Sequence, residues 1–179
     1  MNEPLQNLSR RRWLQKTGGG AFFINLAFAL LGHVRGGPAK VSIFASGLMG
    51  SMSGSVITNV LTTGVLSIPA MRRIGMGRSF AGGVEACAST GGVLMPPVMG
   101  ATAFVMAMFL DVPYAAVALA AVIPSVLYFL GLFIQIDAYA ARYNIKGLPK
   151  IELPSVSKTL KQGWYFIFVF VLFGAFLEV

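Results

Sequence analysis

The chain has 179 residues, of which 56% are hydrophobic and only 11% are charged, against about 25% charged residues in an average soluble domain. This composition excludes an ordinary soluble fold, and it also excludes intrinsic disorder, which requires low hydrophobicity. The formal charge is +8, but the basic residues form short clusters between long uncharged stretches. They make no stripe with interleaved aromatic residues, so nucleic-acid binding is not indicated. We therefore predict an all-α integral membrane protein.

The N-terminal part is divided by its charges, because an ion at membrane depth is costly and marks where the chain meets water. Residues 1–16 form a basic polar tail. Residues 17–34 are apolar and end beside His33 and Arg35. Since basic residues flank this short segment on both sides, we expect an interfacial or short helix there instead of a span.

Two central segments are too long for single straight spans. Residues 41–70 carry no charge, and residues 79–110 carry a single ion, Glu85. Thirty residues in one helix measure about 45 Å, against about 30 Å of hydrocarbon. Each segment also has a small-residue or proline break at its centre, at 50–55 and at 89–97. We predict a re-entrant helical hairpin over 41–70 and a discontinuous transmembrane helix over 79–110.

The last third contains the plainest span. Residues 112–136 are uncharged and long enough to cross a bilayer. A basic linker follows over 137–163, and residues 164–179 begin a further membrane helix. The positive-inside rule places this linker and the basic clusters at 35–40 and 72–78 in the cytoplasm, which predicts a multi-pass protein.

The two breaks are the candidate sites for chemistry. Ser53, Ser55 and Asn59 place hydroxyls and an amide where the two halves of the hairpin meet. Such a break survives in a bilayer only inside protein or around a watery cavity, as at the ion sites of transporters. The alternative is a packing seam of small residues, and the tip alone does not decide between the two.

The second break favours a binding site more strongly. Gly91 and Gly92 free the backbone, while Pro96 and Pro97 remove two donors, so we expect the carbonyls of residues 89–94 to lack helical partners. Unpaired carbonyls bind sodium in discontinuous transporter helices. The alternative is a proline kink without a ligand.

Glu85 is the single acid well inside an apolar segment. A carboxylate buried in a membrane is a functional candidate, but Arg72, Arg73 and Arg78 lie close in sequence. This proximity favours an interfacial ion pair over a functional role. The chain has one histidine and one cysteine. These two residues and Glu85 provide no pair of nucleophile and base, so an enzyme is not predicted.

Two stretches carry a resemblance to a known family. They read GHVRGGPAKVSIFASGLMGSMSGSVITNV and TGVLSIPAMRRIGMGRSFAGGVEACASTGGVLMPPVMGATAF. Their motifs GHxxGGPAK, SGS, EAxASTGG and MPPVMGA closely resemble the large permease subunit of TRAP (tripartite ATP-independent periplasmic) transporters. The fused small-plus-large permease is the nearest match, and the resemblance runs from Thr17 to Pro154.

The resemblance implies a sodium-driven symporter of organic acids in the bacterial inner membrane, working by an elevator movement. Sodium would be the coupling ion. The implied partners are a periplasmic substrate-binding protein, membrane lipid, and a small permease subunit or the remaining permease half. The positions that match the family's sodium-binding regions are Ser53, Ser55, Asn59, Gly91, Gly92, Leu94 and Pro96.

The family's permease contains two inverted repeats, and this chain resembles only the first, over a partial permease domain at 17–163. We therefore expect a fragment that is inactive alone unless a second polypeptide completes it. The alternative is a membrane remnant or interaction protein that transports nothing. Residues 9–15 also resemble a twin-arginine export signal, but no A-x-A cleavage pattern follows them.

Overall fold

The computed structural model describes residues 19–149, and beyond them residues 156, 159–161, 163–165 and 168. The predicted basic tail at 1–16 lies outside the described residues, as does most of the predicted helix at 164–179. No β-strand occurs in the described part, which agrees with the predicted all-α fold. Between residues 19 and 149 the helices are α1 (Gly19–Leu31), α2 (Gly37–Ser53), α3 (Val56–Arg73), α4 (Arg78–Gly92), α5 (Ala101–Leu110) and α6 (Tyr114–Arg142).

Helices α2 and α3 form a helical hairpin where one was predicted, while its re-entrant position in the membrane stays a prediction. The chain reverses at Gly54, whose left-handed backbone (φ 59°) ends α2, a conformation that glycine adopts without steric cost. Ser55 then begins α3 by accepting a hydrogen bond from the Thr58 backbone N–H at 3.4 Å. Both helices run beyond the predicted ends of the hairpin.

Helices α4 and α5 form the interrupted helix. Residues 93–100 separate them in turns and extended chain. The Tyr114 hydroxyl, at the start of α6, lies 2.9 Å from the Pro97 carbonyl oxygen and 2.6 Å from that of Val98. The next helix thereby satisfies backbone that the break leaves without helical partners.

Helix α6 is longer than predicted. It has 29 residues and continues to Arg142, so the prediction that the linker begins at Asp137 is wrong. Asp137 sits inside the helix because two basic side chains neutralise it, and its charge therefore does not mark a helix end. Among the described residues, α6 is the one helix long and apolar enough to cross a membrane, while Phe22–Leu31 and Ala101–Leu110 are shorter apolar helices.

One end of the structure gathers the ends of four helices. The start of α2, the end of α3, the start of α4 and the end of α6 share an apolar cluster that includes Ala39, Met71, Ala81 and Ala140. The basic residues at 35–40, 72–78 and 142 belong to these same helix ends. Their grouping agrees with the common side that the positive-inside rule assigns to them.

A charged cluster joins the hairpin to α6 at this end. The Lys40 ammonium lies 2.6 Å from Asp137 Oδ1, and the Arg35 guanidinium lies 2.7 Å from Oδ2. The Lys40 side chain is only 5% exposed, and its ammonium also lies 4.5 Å from the centre of the Phe133 ring. Lys40 therefore depends on Asp137 for its charge balance, whereas Arg35 is 53% exposed and can be solvated.

We predict that Asp137→Asn lowers the free energy of unfolding in detergent by about 2 kcal/mol. Losing one partner of a fully buried pair costs roughly 3–5 kcal/mol, and the partial exposure of Asp137 reduces that cost. Arg35→Gln, which removes the exposed partner of the same carboxylate, should cost less than about 1 kcal/mol. Equal effects of the two substitutions on thermal unfolding would show that the burial of Lys40 is energetically irrelevant.

Candidate functional site

The tip of the hairpin lies against the break between α4 and α5. The Val98 backbone N–H donates to the Ser51 carbonyl oxygen at 3.1 Å. A Cβ placed on Gly54 would lie 2.3 Å from the carbonyl oxygen of Met99, and a Cβ on Gly50 would lie 2.5 Å from the Cα of Gly92. The two breaks therefore form one region of the molecule, in which glycine allows direct contact between backbones.

Buried polar and small residues line the contact between these helices, and we call them the polar column. Within each helix they recur at spacings of three or four residues, which places them on one helix face. The polar column comprises Ser42, Ser46 and Gly50 of α2, Asn59, Thr63 and Ser67 of α3, and Glu85, Ser89 and Gly92 of α4, all of them buried.

Glu85 occupies one level of the polar column and is 1% exposed. Its carboxylate accepts hydrogen bonds from three hydroxyls: Ser42 at 2.6 Å, Thr63 and Ser67. Among the described residues it forms no ion pair with the neighbouring arginines, so the predicted interfacial pairing is wrong. The physical reason is orientation, because position 85 faces the interior of the hairpin while Arg72, Arg73 and Arg78 are exposed at the helix ends.

Two buried oxygens in the polar column have no hydrogen-bond partner in the described structure. Asn59 donates from Nδ2 to the Ser46 carbonyl oxygen at 2.9 Å, which fixes the orientation of the amide and leaves its Oδ1 unpaired. The hydroxyl of Ser89 is also buried and unpaired. Native structures rarely bury such atoms without a partner, so each unpaired oxygen requires an explanation.

The structure brings together part of the predicted sodium site. A Cβ on Gly92 would lie 3.0 Å from Asn59 Nδ2, so these two predicted residues are neighbours. Ser53 and Leu94 are exposed instead. Ser55 is half-buried and uses its hydroxyl to cap α3.

Of the two other predicted residues, Gly91 lies in the last turn of α4 and is buried, while Pro96 lies in the break and is half-buried. The expectation of unpaired carbonyls over residues 89–94 is wrong for part of this range. The backbone N–H groups of residues 93, 94 and 95 donate to the carbonyls of residues 90, 91 and 92 at 3.3, 3.0 and 3.2 Å. The helix therefore ends in a tightened turn.

The outer surface of these helices is apolar. On α3, Ile57, Leu61 and Val65 are 73%, 62% and 60% exposed, on a different face from the polar column. Helix α6 likewise exposes large aliphatic side chains such as Ile123. Many large apolar side chains exposed together in this way mark a membrane or protein contact.

Sequence reasoning found part of the polar column. It singled out Asn59, Glu85 and Gly92, and its two breaks included Gly50 and Ser89. It gave no role to Ser42, Ser46, Thr63 or Ser67. A signal was present in the spacing, because each helix repeats small or polar residues at helical intervals on an otherwise apolar background. Serine and threonine are common in membrane helices, however, and the three faces converge only once the hairpin folds against α4.

Comparison with known proteins places the chain in a family. The sequence model described as "Tripartite ATP-independent periplasmic transporter, DctM component" matches residues 12–179. The chain belongs to this family. The predicted resemblance to TRAP large permeases and the all-α membrane fold class are thereby confirmed.

Several curated relatives cover most of the chain. It is 29% identical over 160 residues to the C4-dicarboxylate TRAP transporter large permease protein DctM of Pseudomonas aeruginosa, a match over 88% of this chain and 37% of the relative. It is 32% identical over 155 residues to the sialic acid TRAP transporter permease protein SiaT of Haemophilus influenzae, over 86% of this chain and 25% of the relative. The chain thus spans a quarter to two fifths of the length of these relatives.

We predict that Gly92→Ala destabilises the contact between α2 and α4. The new methyl group would lie 2.5 Å from the Ser46 carbonyl oxygen and 2.9 Å from the Gly50 Cα, and backbone atoms cannot move aside independently. Overpacking of this kind costs roughly 1–3 kcal/mol. Thermal unfolding in detergent measures the loss.

Gly83→Ala on the same helix is the matched control, because a Cβ at Gly83 meets nothing within 4 Å. It should leave the unfolding temperature unchanged or raise it, since alanine favours a helix. A Gly92→Ala protein as stable as the Gly83→Ala protein would contradict the close backbone approach.

Proposed function

We propose that this chain is part of a TRAP-type permease of the bacterial inner membrane and that it binds the sodium ion that drives uptake of an organic acid. The names of two relatives specify a C4-dicarboxylate and sialic acid as their substrates, and both are organic acids. Membership of the DctM family supports transport as the activity of the complete permease. The chain covers only part of that permease, so substrate selectivity also depends on residues outside it.

One observation carries the sodium proposal. Among the described residues, Asn59 Oδ1 and Ser89 Oγ are buried oxygens without hydrogen-bond partners. Asn59 adjoins Gly92 of α4, and Ser89 lies one turn earlier on the same helix. Interrupted helices are where secondary transporters bind their coupling ions near the membrane midplane. An ion bound there would supply the partners that the two oxygens lack.

The chemistry of the donor atoms fits a monovalent hard cation. The unpaired atoms are neutral oxygens, and hard cations prefer oxygen ligands. Among the described residues, no group of three or more His, Cys, Asp or Glu side chains could hold a transition metal. The one carboxylate of the polar column already accepts three hydrogen bonds.

A periplasmic substrate-binding protein would deliver the organic acid, and a small permease subunit and the remaining permease half would complete the transporter. The exposed apolar faces of α3 and α6 provide area for contact with these membrane partners or with lipid. Contact with lipid or with these partners would also explain why so many large apolar side chains are exposed in the described part of the chain.

We expect sodium to slow hydrogen exchange of the backbone amides at 50–59 and 89–95 in the purified protein. The ion would hold the hairpin tip and α4 together and so suppress local opening. Hydrogen–deuterium exchange is compared in sodium chloride and in choline chloride at equal ionic strength. Identical exchange in the two salts would contradict the sodium site.

Transport is tested separately by reconstituting the chain with and without the remaining permease half and the binding protein. Uptake of a labelled organic acid down a sodium gradient, seen only with all parts present, supports the transport proposal. Absence of uptake in the complete assembly would favour the alternative of a remnant that transports nothing.

A further inference from the structure

The hydroxyl hydrogens of the polar column have a definite direction. The Thr63 hydroxyl lies within hydrogen-bond distance of both a Glu85 carboxylate oxygen and the Asn59 carbonyl oxygen. A hydroxyl has one hydrogen, and a carboxylate is a stronger acceptor than a neutral carbonyl. Thr63 therefore donates to Glu85, and its oxygen is left as an acceptor.

This direction determines the next bond. Ser46 Oγ and Thr63 Oγ1 are 3.2 Å apart, a distance at which either atom could donate. Since the hydrogen of Thr63 is engaged by Glu85, Ser46 must be the donor. A chain of hydrogen bonds thus runs from Ser46 through Thr63 to Glu85, and each hydroxyl turns its hydrogen towards the carboxylate.

The same residues set the orientation of Asn59. Its Nδ2 donates to the Ser46 carbonyl oxygen, so the backbone of residue 46 and the side chain of residue 59 are fixed together. The hydroxyl chain holds α2 against α3 at this level through the Ser46–Thr63 bond. Within the described part of the chain, no hydrogen bond is donated to Asn59 Oδ1 or to the Ser46 hydroxyl oxygen.

We propose that Glu85 is a positioning residue for cation binding. It accepts the hydroxyl hydrogen of Thr63, and Thr63 in turn accepts that of Ser46. The Ser46 hydroxyl oxygen and Asn59 Oδ1 therefore keep lone pairs free to bind a cation. This inference rests on the proposed sodium site and identifies Glu85 as the residue that orients its oxygens. Glu85 does not bind the ion in this account, because its two oxygens already accept three hydrogen bonds.

Three neutral hydroxyls stabilise the Glu85 carboxylate by hydrogen bonds. Ser42 and Ser67 donate to the same oxygen, Oε2, and Thr63 donates to Oε1. Among the described residues, Thr63 is the one of the three that also bonds to the Ser46 hydroxyl. The three hydroxyls therefore have similar roles in stabilising the carboxylate but different roles in orienting the site.

This difference supplies a matched pair of variants. Thr63→Val and Ser67→Ala each remove one hydroxyl donor from Glu85, but only Thr63→Val breaks the chain to Ser46. We expect Thr63→Val to raise the sodium concentration for half-maximal exchange protection of residues 50–59 by roughly three- to ten-fold, the effect of one lost hydrogen bond. Ser67→Ala should shift that midpoint by less than about two-fold.

Thr63→Ser keeps the hydroxyl and should restore the midpoint of the unsubstituted protein. Thermal unfolding of each variant separates loss of stability from loss of sodium affinity, since Ser67→Ala and Thr63→Val should destabilise to a similar extent. If Thr63→Val shows no cooperative unfolding, Ser46→Ala takes its place. It cuts the same chain while leaving all three donors on Glu85, and it should also raise the midpoint.

Equal midpoints for Thr63→Val and Ser67→Ala, with sodium protection intact in the unsubstituted protein, would overturn the positioning role of Glu85 and leave the sodium site standing. Failure of Thr63→Ser to restore the midpoint would overturn the role as well. Absence of sodium protection in the unsubstituted protein would overturn the sodium site and this inference together.

Discussion

The structure depends on a buried carboxylate that three hydroxyls from two different helices satisfy. Glu85 is 1% exposed, and a charge at such a position is tolerated only where hydrogen bonds replace its hydration. Ser42 from α2 and Thr63 and Ser67 from α3 provide them. The hydrogen bonds to this one side chain therefore hold α4 against both helices of the hairpin. They also place the hairpin tip beside the break after Gly92.

Glycine makes the second half of this arrangement possible. Helices α2 and α4 approach so closely at Gly50 and Gly92 that a methyl group on either would collide with backbone. Such close contact is a common solution in membranes, where helices associate through packing and hydrogen bonds instead of the hydrophobic effect. At the opposite end, the Lys40–Asp137 ion pair attaches the hairpin to α6.

The large features of the fold were predictable from charge and length. Segments too long for a straight span predicted the hairpin and the interrupted helix, with breaks at 50–55 and 89–97. The helices are interrupted at 54–55 and at 93–100, so the second break begins later than predicted. The end of α6 was not predictable, because Asp137 is neutralised by residues about a hundred positions earlier in the chain. For the same reason Glu85 was assigned to nearby arginines: sequence distance favoured them, while its three partners come from the other helices. From the sequence, the site could be assigned only to the region of the breaks. Whether the oxygens of Asn59 and Ser89 lack partners depends on which donors form other hydrogen bonds in the folded structure, and the sequence does not show this.

The central claim is that a sodium ion binds the unpaired oxygens where the hairpin meets α4. The most direct test is the melting temperature of the purified protein and of Ser89→Ala across a series of sodium concentrations, with choline balancing ionic strength. Ser89 Oγ forms no hydrogen bond with any described residue, so the substitution should leave the protein as stable or more stable without sodium. We predict that sodium raises the melting temperature of the unsubstituted protein, as a ligand of the folded state does, and that Ser89→Ala loses most of this rise. An equal rise in both proteins, or none in either, would contradict the account.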